Sequence, residues 1–410
     1  MSTPSSEKHV VIVGAGHSGG SAASALRAAG HKGRVTLIGT ERHPPYERPP
    51  LSKELLAGTI PHEKTYLRPA PFYGENNIEL KLGATAVAID RKGQRIELAD
   101  GDTVPYDALI LTTGARARRL PLPGGDGARV FYLRDIDDTF ALRERLTEGT
   151  RLAVIGAGFI GLEVAATARK RRAAVTVLEL APHPLARVAA PEIGEFLATV
   201  HRNKGVDLQT GVKVTAIEDT GNGLRISVEG AAPIVADYAA IGIGAQPNTE
   251  IAQAAGLEIR DGIIVDEFGR TNDPVIFAAG DVTRHFNPLL GRHIRLEAWQ
   301  NAQNQAIAVA KIVAGGTDRF AEVPWFWTDQ YEINLQMAGA PERWDRIVWR
   351  GAASDPGFTL FQLLDGKPVA AVTINNARDM RFARMLIQRG TAVAPEALAD
   401  KAVKLQDIAR

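Results

Sequence analysis

No cysteine occurs in the 410 residues, and whole mechanisms leave with it. A cycle that passes through a protein thiol needs at least one cysteine, so disulfide and peroxide reduction by a redox-active thiol are excluded. The chain also cannot hold a thiolate-ligated iron–sulfur cluster, which would have to sit on another protein. Charge of one sign is equally scarce: 48 basic residues face 47 acidic ones, for a net charge of +1. That balance gives no global reason to expect nucleic acid or an anionic membrane as a partner. No apolar run approaches the roughly 20 residues that span a bilayer, and residues 1–7 lack a basic stretch followed by an apolar core. A cytoplasmic location is the expectation. The nine histidines show neither HxxxH nor HExxH spacing, so no metal site is expected. The densest basic run, Arg169, Lys170, Arg171 and Arg172, reads as a solvated helix end.

Glycine, by contrast, is present in a pattern. Val10-Val11-Ile12-Val13-Gly14-Ala15-Gly16-His17-Ser18-Gly19 and Leu152-Ala153-Val154-Ile155-Gly156-Ala157-Gly158-Phe159-Ile160-Gly161 each set GxGxxG directly behind an apolar strand. Such glycines turn strand into helix, admit a pyrophosphate against the backbone and let helix and strand pack closely. The phosphates would rest on the N-terminus of the helix. One match is weak, because a chain with 40 glycines in 410 residues produces about 0.4 by chance. Context strengthens both. Each opens a small-residue helix and leads to a second strand that ends near an acid, Glu41 in the first copy and Glu179 in the second. A carboxylate about 20 residues beyond the glycines reads a ribose 2′-hydroxyl. Glu179 would accept from that hydroxyl and repel a 2′-phosphate, which favours NADH over NADPH. Arg187 pulls the other way, since an arginine accommodates the phosphate. Two dinucleotides on one chain are predicted.

An internal repeat underlies the two copies. Asn77 to Leu80 leads through Gly83 and Val87 to Ile89, and Gly205 to Leu208 leads through Gly211 and Val214 to Ile217. Alternating segments follow, Arg95 to Leu98 and Leu224 to Val228, and each copy closes on an apolar strand that is expected to end in glycine, at Gly114 and Gly244. The unit is a βαβ with a small antiparallel layer, used twice. Between Pro191 and Gly205, Ile193, Phe196, Leu197 and Val200 recur at helical spacing as a core stripe. Beyond about residue 325 the pattern predicts a compact α+β tail, with strands near Ile347, Phe358 and Val369, a hairpin at Asp365-Gly366 and a helix through Met380.

The chain carries further motifs: Arg48-Pro49-Pro50-Leu51-Ser52-Lys53, Thr113-Gly114-Ala115, Tyr132-Leu133-Arg134, Gly280-Asp281 and Trp325-Phe326-Trp327-Thr328-Asp329-Gln330. With both fingerprints, these resemble the oxygenase-coupled NADH:ferredoxin reductases over nearly the full length. The resemblance implies an α/β protein with two Rossmann-like dinucleotide-binding domains in a glutathione-reductase-like arrangement, plus a C-terminal α+β domain. It implies FAD on residues 1–114 and 246–324, NADH on residues 115–245, and the C-terminal domain at 325–410.

By the same resemblance Gly14, Gly16 and Gly19 cradle FAD, with Ser18, Thr40, Arg48, Val87, Gly114, Arg134 and Trp299 around it and Asp281 after Gly280 holding a ribityl hydroxyl. Thr40 stands where relatives often carry an acid, which leaves Glu41 as the ribose candidate. NADH would lie on Gly156, Gly158, Ile160 and Gly161, with Glu179, Arg187 and Gly244 nearby. Lys53 resembles an ammonium beside the flavin N5 and N1–C2 region, and Glu163 its partner. Trp327 resembles an aromatic lying by the isoalloxazine; a core tryptophan is the plain alternative. The implied activity is hydride transfer from NADH to FAD, then single electrons to a [2Fe–2S] ferredoxin serving a P450 or ring-hydroxylating dioxygenase. NADH:rubredoxin reduction and a non-catalytic NADH-sensing flavoprotein of apoptosis-inducing-factor type are the alternatives. Arg68 with Arg116, Arg118 and Arg119 is the candidate docking surface for an acidic ferredoxin.

Overall fold

A computed structural model describes residues 7–409; most of the opening stretch read above for targeting signals lies outside them. Val10–Val13 is apolar at every position and buried at every position, the pattern of a strand covered on both faces. It forms the centre of a five-stranded sheet in the order Ile276–Ala278, Ala108–Leu111, Val10–Val13, Val35–Gly39, Ile78–Leu82, parallel throughout. The outermost strand arrives from beyond residue 245, so this sheet is built from two separate stretches of chain. The helices His17–Ala28 and Trp299–Val313 pack together against it, with Ala22, Leu26, Ala306 and Val309 in one apolar cluster.

The second copy repeats the plan. Arg151–Ile155 centres a parallel sheet in the order Asp207–Thr210, Ala174–Glu179, Arg151–Ile155, Tyr238–Ile241, Val130–Tyr132. Each sheet carries its own three-stranded antiparallel layer, Ala86–Asp90 with Arg95–Leu98 and Thr103–Pro105 in the first, and Val214–Asp219 with Leu224–Val228 and Ile234–Ala236 in the second. The chain passes between the units through two short strands, Ala115–Ala117 and Ala245–Pro247, which pair with each other. Pro191–Asn203 forms the expected helix, with Ile193 and Leu197 fully buried and Gly205 past its end at a φ of 80°. The closing strands end sooner than expected, at Leu111 and Ile241. Gly114 and Gly244 adopt φ of 64° and 112°, outside strand geometry, and turn the chain toward the cleft instead.

The tail is an antiparallel five-stranded sheet ordered Trp325–Gln330, Ile333–Gly339, Lys367–Ile374, Phe358–Leu364, Arg346–Arg350. Its first two strands were not expected from the sequence. Asp365 and Gly366, at φ of 50° and 73°, make the predicted hairpin turn. The helix Ala377–Arg389 begins at an Asn376 side chain that accepts from the Asp379 amide and stops at Gly390 in the left-handed region. Among the described residues no helix is long and apolar enough to cross a membrane.

Candidate functional site

The two glycine loops behave alike, and each glycine has its own task. A Cβ on Gly14 would lie 2.1 Å from the Thr112 carbonyl oxygen, and one on Gly156 would lie 2.5 Å from that of Gly242, so the first glycine clears the neighbouring parallel strand. The third packs helix on loop: a Cβ on Gly19 would lie 1.9 Å from the Gly14 oxygen, and one on Gly161 would lie 2.0 Å from the Gly156 oxygen. Only the middle glycines face open space, with nothing nearer than 3.7 Å at Gly16 or at Gly158. These two are the N-caps of His17–Ala28 and Phe159–Lys170. Neither helix start is capped by a side chain, and neither carries an acid in its first turn. Free amide donors and the positive helix end are thus left for an anion at both places.

Both loops open into one cleft of about 1790 Å³. Pockets for one small ligand run to roughly 300–1,000 Å³, so this cleft has room for two extended molecules. The donor set fits dinucleotides: two backbone cradles, buried polar atoms without partners at His17 and at Arg134 Nε, and aromatic walls at Trp299 and Trp327.

On the side of the first sheet, Glu41 accepts from Arg48 Nη2 at 2.7 Å and from the Tyr46 hydroxyl. Burial would raise the Glu41 carboxyl, but Arg48 and Tyr46 outweigh it and hold it below its ordinary value. Thr40 lines the cleft beside it. Arg134 Nη2 lies 3.3 Å from Asp281, whose carboxyl is pushed up by burial against the pull of that arginine. Gly280, at φ of 82°, is a packing glycine: a Cβ there would lie 2.2 Å from Ser18 Oγ. Val87 stands apart from the other candidates on this side. Its side chain is 48% exposed and does not line the cleft, whereas Ala84 and Ala86 do, because alternate strand residues face opposite ways. His17 was not foreseen. It is buried inside the fingerprint, 5.0 Å from the Trp299 ring, and burial lowers it to about 4, so it stays neutral at pH 7. A titratable residue between Gly16 and Ser18 was the available signal.

Between the two loops stands Lys53, with Nζ 3.1 Å from Glu163 Oε1 and side chains only 13% and 4% exposed. Glu163 also receives the Ser52 hydroxyl and, at 2.6 Å, that of Thr328. Three parts of the chain therefore converge on one carboxylate: Lys53 and Thr328 share Oε1, and Ser52 takes Oε2. Trp327 lines the cleft, edge-on to Trp299 at 5.6 Å and stacked on Trp325 at 5.2 Å. Neither Thr328 nor Ser52 was expected as a partner of Glu163, and nothing local to either predicts it.

On the side of the second sheet, Glu179 reaches back to its own glycine loop, accepting from the Ala157 amide at 2.5 Å and from the Ala181 amide at 2.8 Å. Each oxygen keeps a lone pair for a further donor. Arg187 lies over Gly244, with its guanidinium 3.1 Å from where a Cβ would sit. Ile160, Leu180 and Val188 leave apolar surface exposed here, at 46%, 68% and 53%.

The candidate docking arginines do not form a free basic patch. Arg116 pairs with Glu250 at 2.7 Å and Arg119 with Asp126 at 3.6 Å, and Arg116 and Arg118 line the cleft. Arg68 lies apart from the cleft, over the Phe72 ring. In the run that ends the second fingerprint helix, Arg169 and Arg171 are tied to backbone carbonyls, including Ala173 and Leu146, so only part of it is a solvated end.

Residues 8–306 match the family model described as pyridine nucleotide-disulphide oxidoreductase, and residues 325–409 match reductase C-terminal. The chain is 44% identical to the anthranilate 1,2-dioxygenase system ferredoxin–NAD(+) reductase component of Burkholderia cepacia, covering 97% of this chain and 98% of that one. It is 40% identical to the putidaredoxin reductase of Pseudomonas putida, covering 98% and 96%. Among solved structures it is similar to the ferredoxin reductase for the CYP199A2 system from Rhodopseudomonas palustris, with a TM-score of 0.95, 39% identity and coverage of 98% and 100%. It is also similar to the reductase in the covalent putidaredoxin reductase–putidaredoxin complex, with a TM-score of 0.94, 40% identity and 98% coverage of both chains.

Proposed function

Because this chain belongs to the pyridine nucleotide-disulphide oxidoreductases and, within them, to the oxygenase-coupled ferredoxin–NAD(+) reductases, we propose that it reduces a [2Fe–2S] ferredoxin at the expense of NADH. The observation that carries the reading is the single cleft onto which two uncapped glycine loops open, with Lys53, Glu163 and Trp327 between them. The disulphide in the family's name has no counterpart here, since the chain has no cysteine. The acceptor is therefore outside the chain.

FAD would be held at Gly14, Gly16 and Gly19 by residues 1–114 and 246–324, with Glu41, Arg48, Arg134 and Asp281 supplying polar contacts. NADH would be held at Gly156, Gly158 and Gly161 by residues 115–245, with Glu179 toward the ribose. The finer arrangement is then that of glutathione reductase, completed by the tail. When bound, the nicotinamide supplies a hydride and the flavin takes it up and releases electrons singly. The protein's own part is positional. Lys53 presents a fixed positive charge in a site of low dielectric, where charge is worth far more than in water. Glu163 keeps that charge oriented, and Trp299 with Trp327 screens the meeting point from solvent.

Oxygenase systems of both the dioxygenase and P450 kinds occur among the relatives' names, and we propose service to one of these. The test is anaerobic stopped-flow reduction of the FAD-loaded protein by NADH, followed by turnover with purified [2Fe–2S] ferredoxins and with rubredoxin. Rapid bleaching and ferredoxin-dependent turnover are expected. No reduction by NADH would overturn the reading, rubredoxin preference would replace its acceptor, and slow reduction with a long-lived charge-transfer band would point to a sensor.

A further inference from the structure

Glu163 ends a chain of side chains that runs away from the cleft. The strand Trp325–Gln330 turns alternate residues to opposite sides. Trp325 and Trp327 stack on one side. On the other, Phe326 meets Phe159 with ring centres 4.1 Å apart, Thr328 meets Glu163 and Gln330 meets His201. The match is geometric: residues two apart on a strand are separated by about 6.6 Å and residues four apart on a helix by about 6 Å, so Phe326 and Thr328 fall in step with Phe159 and Glu163. His201 comes from the next helix, Pro191–Asn203, and is fully buried.

The direction of every bond follows from the carboxylate. Glu163, paired with the Lys53 ammonium, only accepts, so Thr328 Oγ1 gives it its proton at 2.6 Å. That oxygen is then an acceptor toward Gln330 Nε2 at 3.2 Å. The amide oxygen of Gln330 consequently faces His201 Nε2 at 2.8 Å, and the proton there belongs to the histidine. Nδ1 then carries no proton and accepts from the Tyr331 hydroxyl at 3.4 Å. Burial lowers the His201 pKa, in keeping with a neutral ring carrying one proton. Three donors in series thus point at one carboxylate, and such series polarise one another.

We propose that Gln330 and His201 are positioning residues for Lys53, acting through Thr328 and Glu163. Neither lines the cleft, so neither reaches a bound nucleotide. Their effect is to commit the Thr328 proton to Glu163 and so fix the oxygen that holds Lys53. The same bonds join the second sheet's helices to the first strand of the tail, starting beside Lys53. The inference rests on the reading of Lys53 given under the proposed function.

The test breaks the chain at two places and repairs it at one. His201→Leu and Gln330→Met are expected to slow NADH-driven flavin reduction roughly 5- to 10-fold, the size of one lost hydrogen bond, while FAD content and NAD+ affinity stay near the parent's. His201→Gln, whose amide nitrogen can donate in place of Nε2, is expected to restore most of the rate. In the unsubstituted protein, 15N NMR is expected to find His201 as the Nε2–H tautomer. Normal reduction rates in both broken variants, or an Nδ1–H tautomer, would overturn the proposal. Should His201→Leu fail to fold, Gln330→Met and the tautomer decide it. Failure of the parent protein to accept hydride from NADH would instead strike the proposed function, and the NMR result is read independently of it.

Discussion

Glu179 ties the second nucleotide loop to its own sheet: it ends the strand Ala174–Glu179 and accepts from the Ala157 amide at 2.5 Å. The acid that would read the ribose therefore also holds the loop that would cradle the pyrophosphate. Glu179→Ala should loosen both and remove the charge that repels a 2′-phosphate. The ratio of kcat/KM for NADH over NADPH is expected to fall roughly 30-fold, corresponding to about 2 kcal/mol. Arg187→Ala should move the ratio in the opposite direction, because it removes the cation that tolerates the phosphate. Unchanged donor preference in both variants would show that selectivity lies elsewhere.

The fingerprint glycines separate into structural and ligand-facing positions, and substitution should reveal which is which. Gly19→Ala forces a Cβ to within 1.9 Å of a backbone oxygen, where no flexible side chain can give way. It is expected to cost about 3 kcal/mol or more and to lower the melting temperature of the apoprotein. Gly16→Ala meets nothing closer than 3.7 Å, so the apoprotein should stay within about 1 kcal/mol of the parent. Its FAD affinity should nevertheless drop roughly 100-fold, since the methyl group occupies the cradle. Differential scanning calorimetry of apoprotein with FAD titration distinguishes the two, and equal behaviour would contradict the division.

What the sequence made legible was local. The two fingerprints, the acids after them, the Asp365-Gly366 hairpin and the helix before Gly205 are all written within about 25 residues of chain, where periodicity and turn chemistry act. Resemblance alone brought Lys53 and Glu163 together across the chain. The residues that surround them were not legible. Thr328 and Gln330 meet Glu163 and His201 only because a strand of the tail packs on helices of the second sheet, and no spacing rule reports such a contact. The same holds for Arg116, which would be free on a bare sequence but is neutralised by Glu250 once Ala115–Ala117 pairs with Ala245–Pro247. Val87 illustrates strand parity: it does not line the cleft whereas Ala86 does, because a strand residue and its neighbour face opposite sides.

Lys53 and Glu163 form a buried pair, and breaking one half should cost more than losing both. Glu163→Gln leaves the Lys53 ammonium without a counter-charge and sets an amide against three donors; about 3 kcal/mol of stability and about a tenfold slower flavin reduction are expected. Lys53→Met with Glu163→Gln removes both charges. That double variant should regain most of the stability and none of the rate, a coupling that a double-mutant cycle measures directly. Additive losses would mean that the pair does not act as a unit.

His285 is expected to make the protein sensitive to mild acid. It lies on the strand Thr283–Asn287, is 1% exposed, and neither ring nitrogen has a partner. Burial, assisted by His293, pushes it down to about 4, against an unfolded value of 6.5. Above pH 6.5 the ring is neutral in both states and its contribution to stability is complete. Between pH 6.5 and about 4 the unfolded chain takes up a proton that the folded chain refuses, so stability falls with pH. Over that window the loss amounts to about 3 kcal/mol for this group. Below about 4 the folded ring protonates too and the loss levels off. His17, also lowered to about 4, adds a similar slope in the apoprotein. His285→Leu keeps an apolar side chain beside Phe320 and has nothing to titrate, so the urea midpoint of the variant should fall less steeply than the parent's between pH 6.5 and 4.5. Parallel curves for parent and variant would assign the acid sensitivity to other groups.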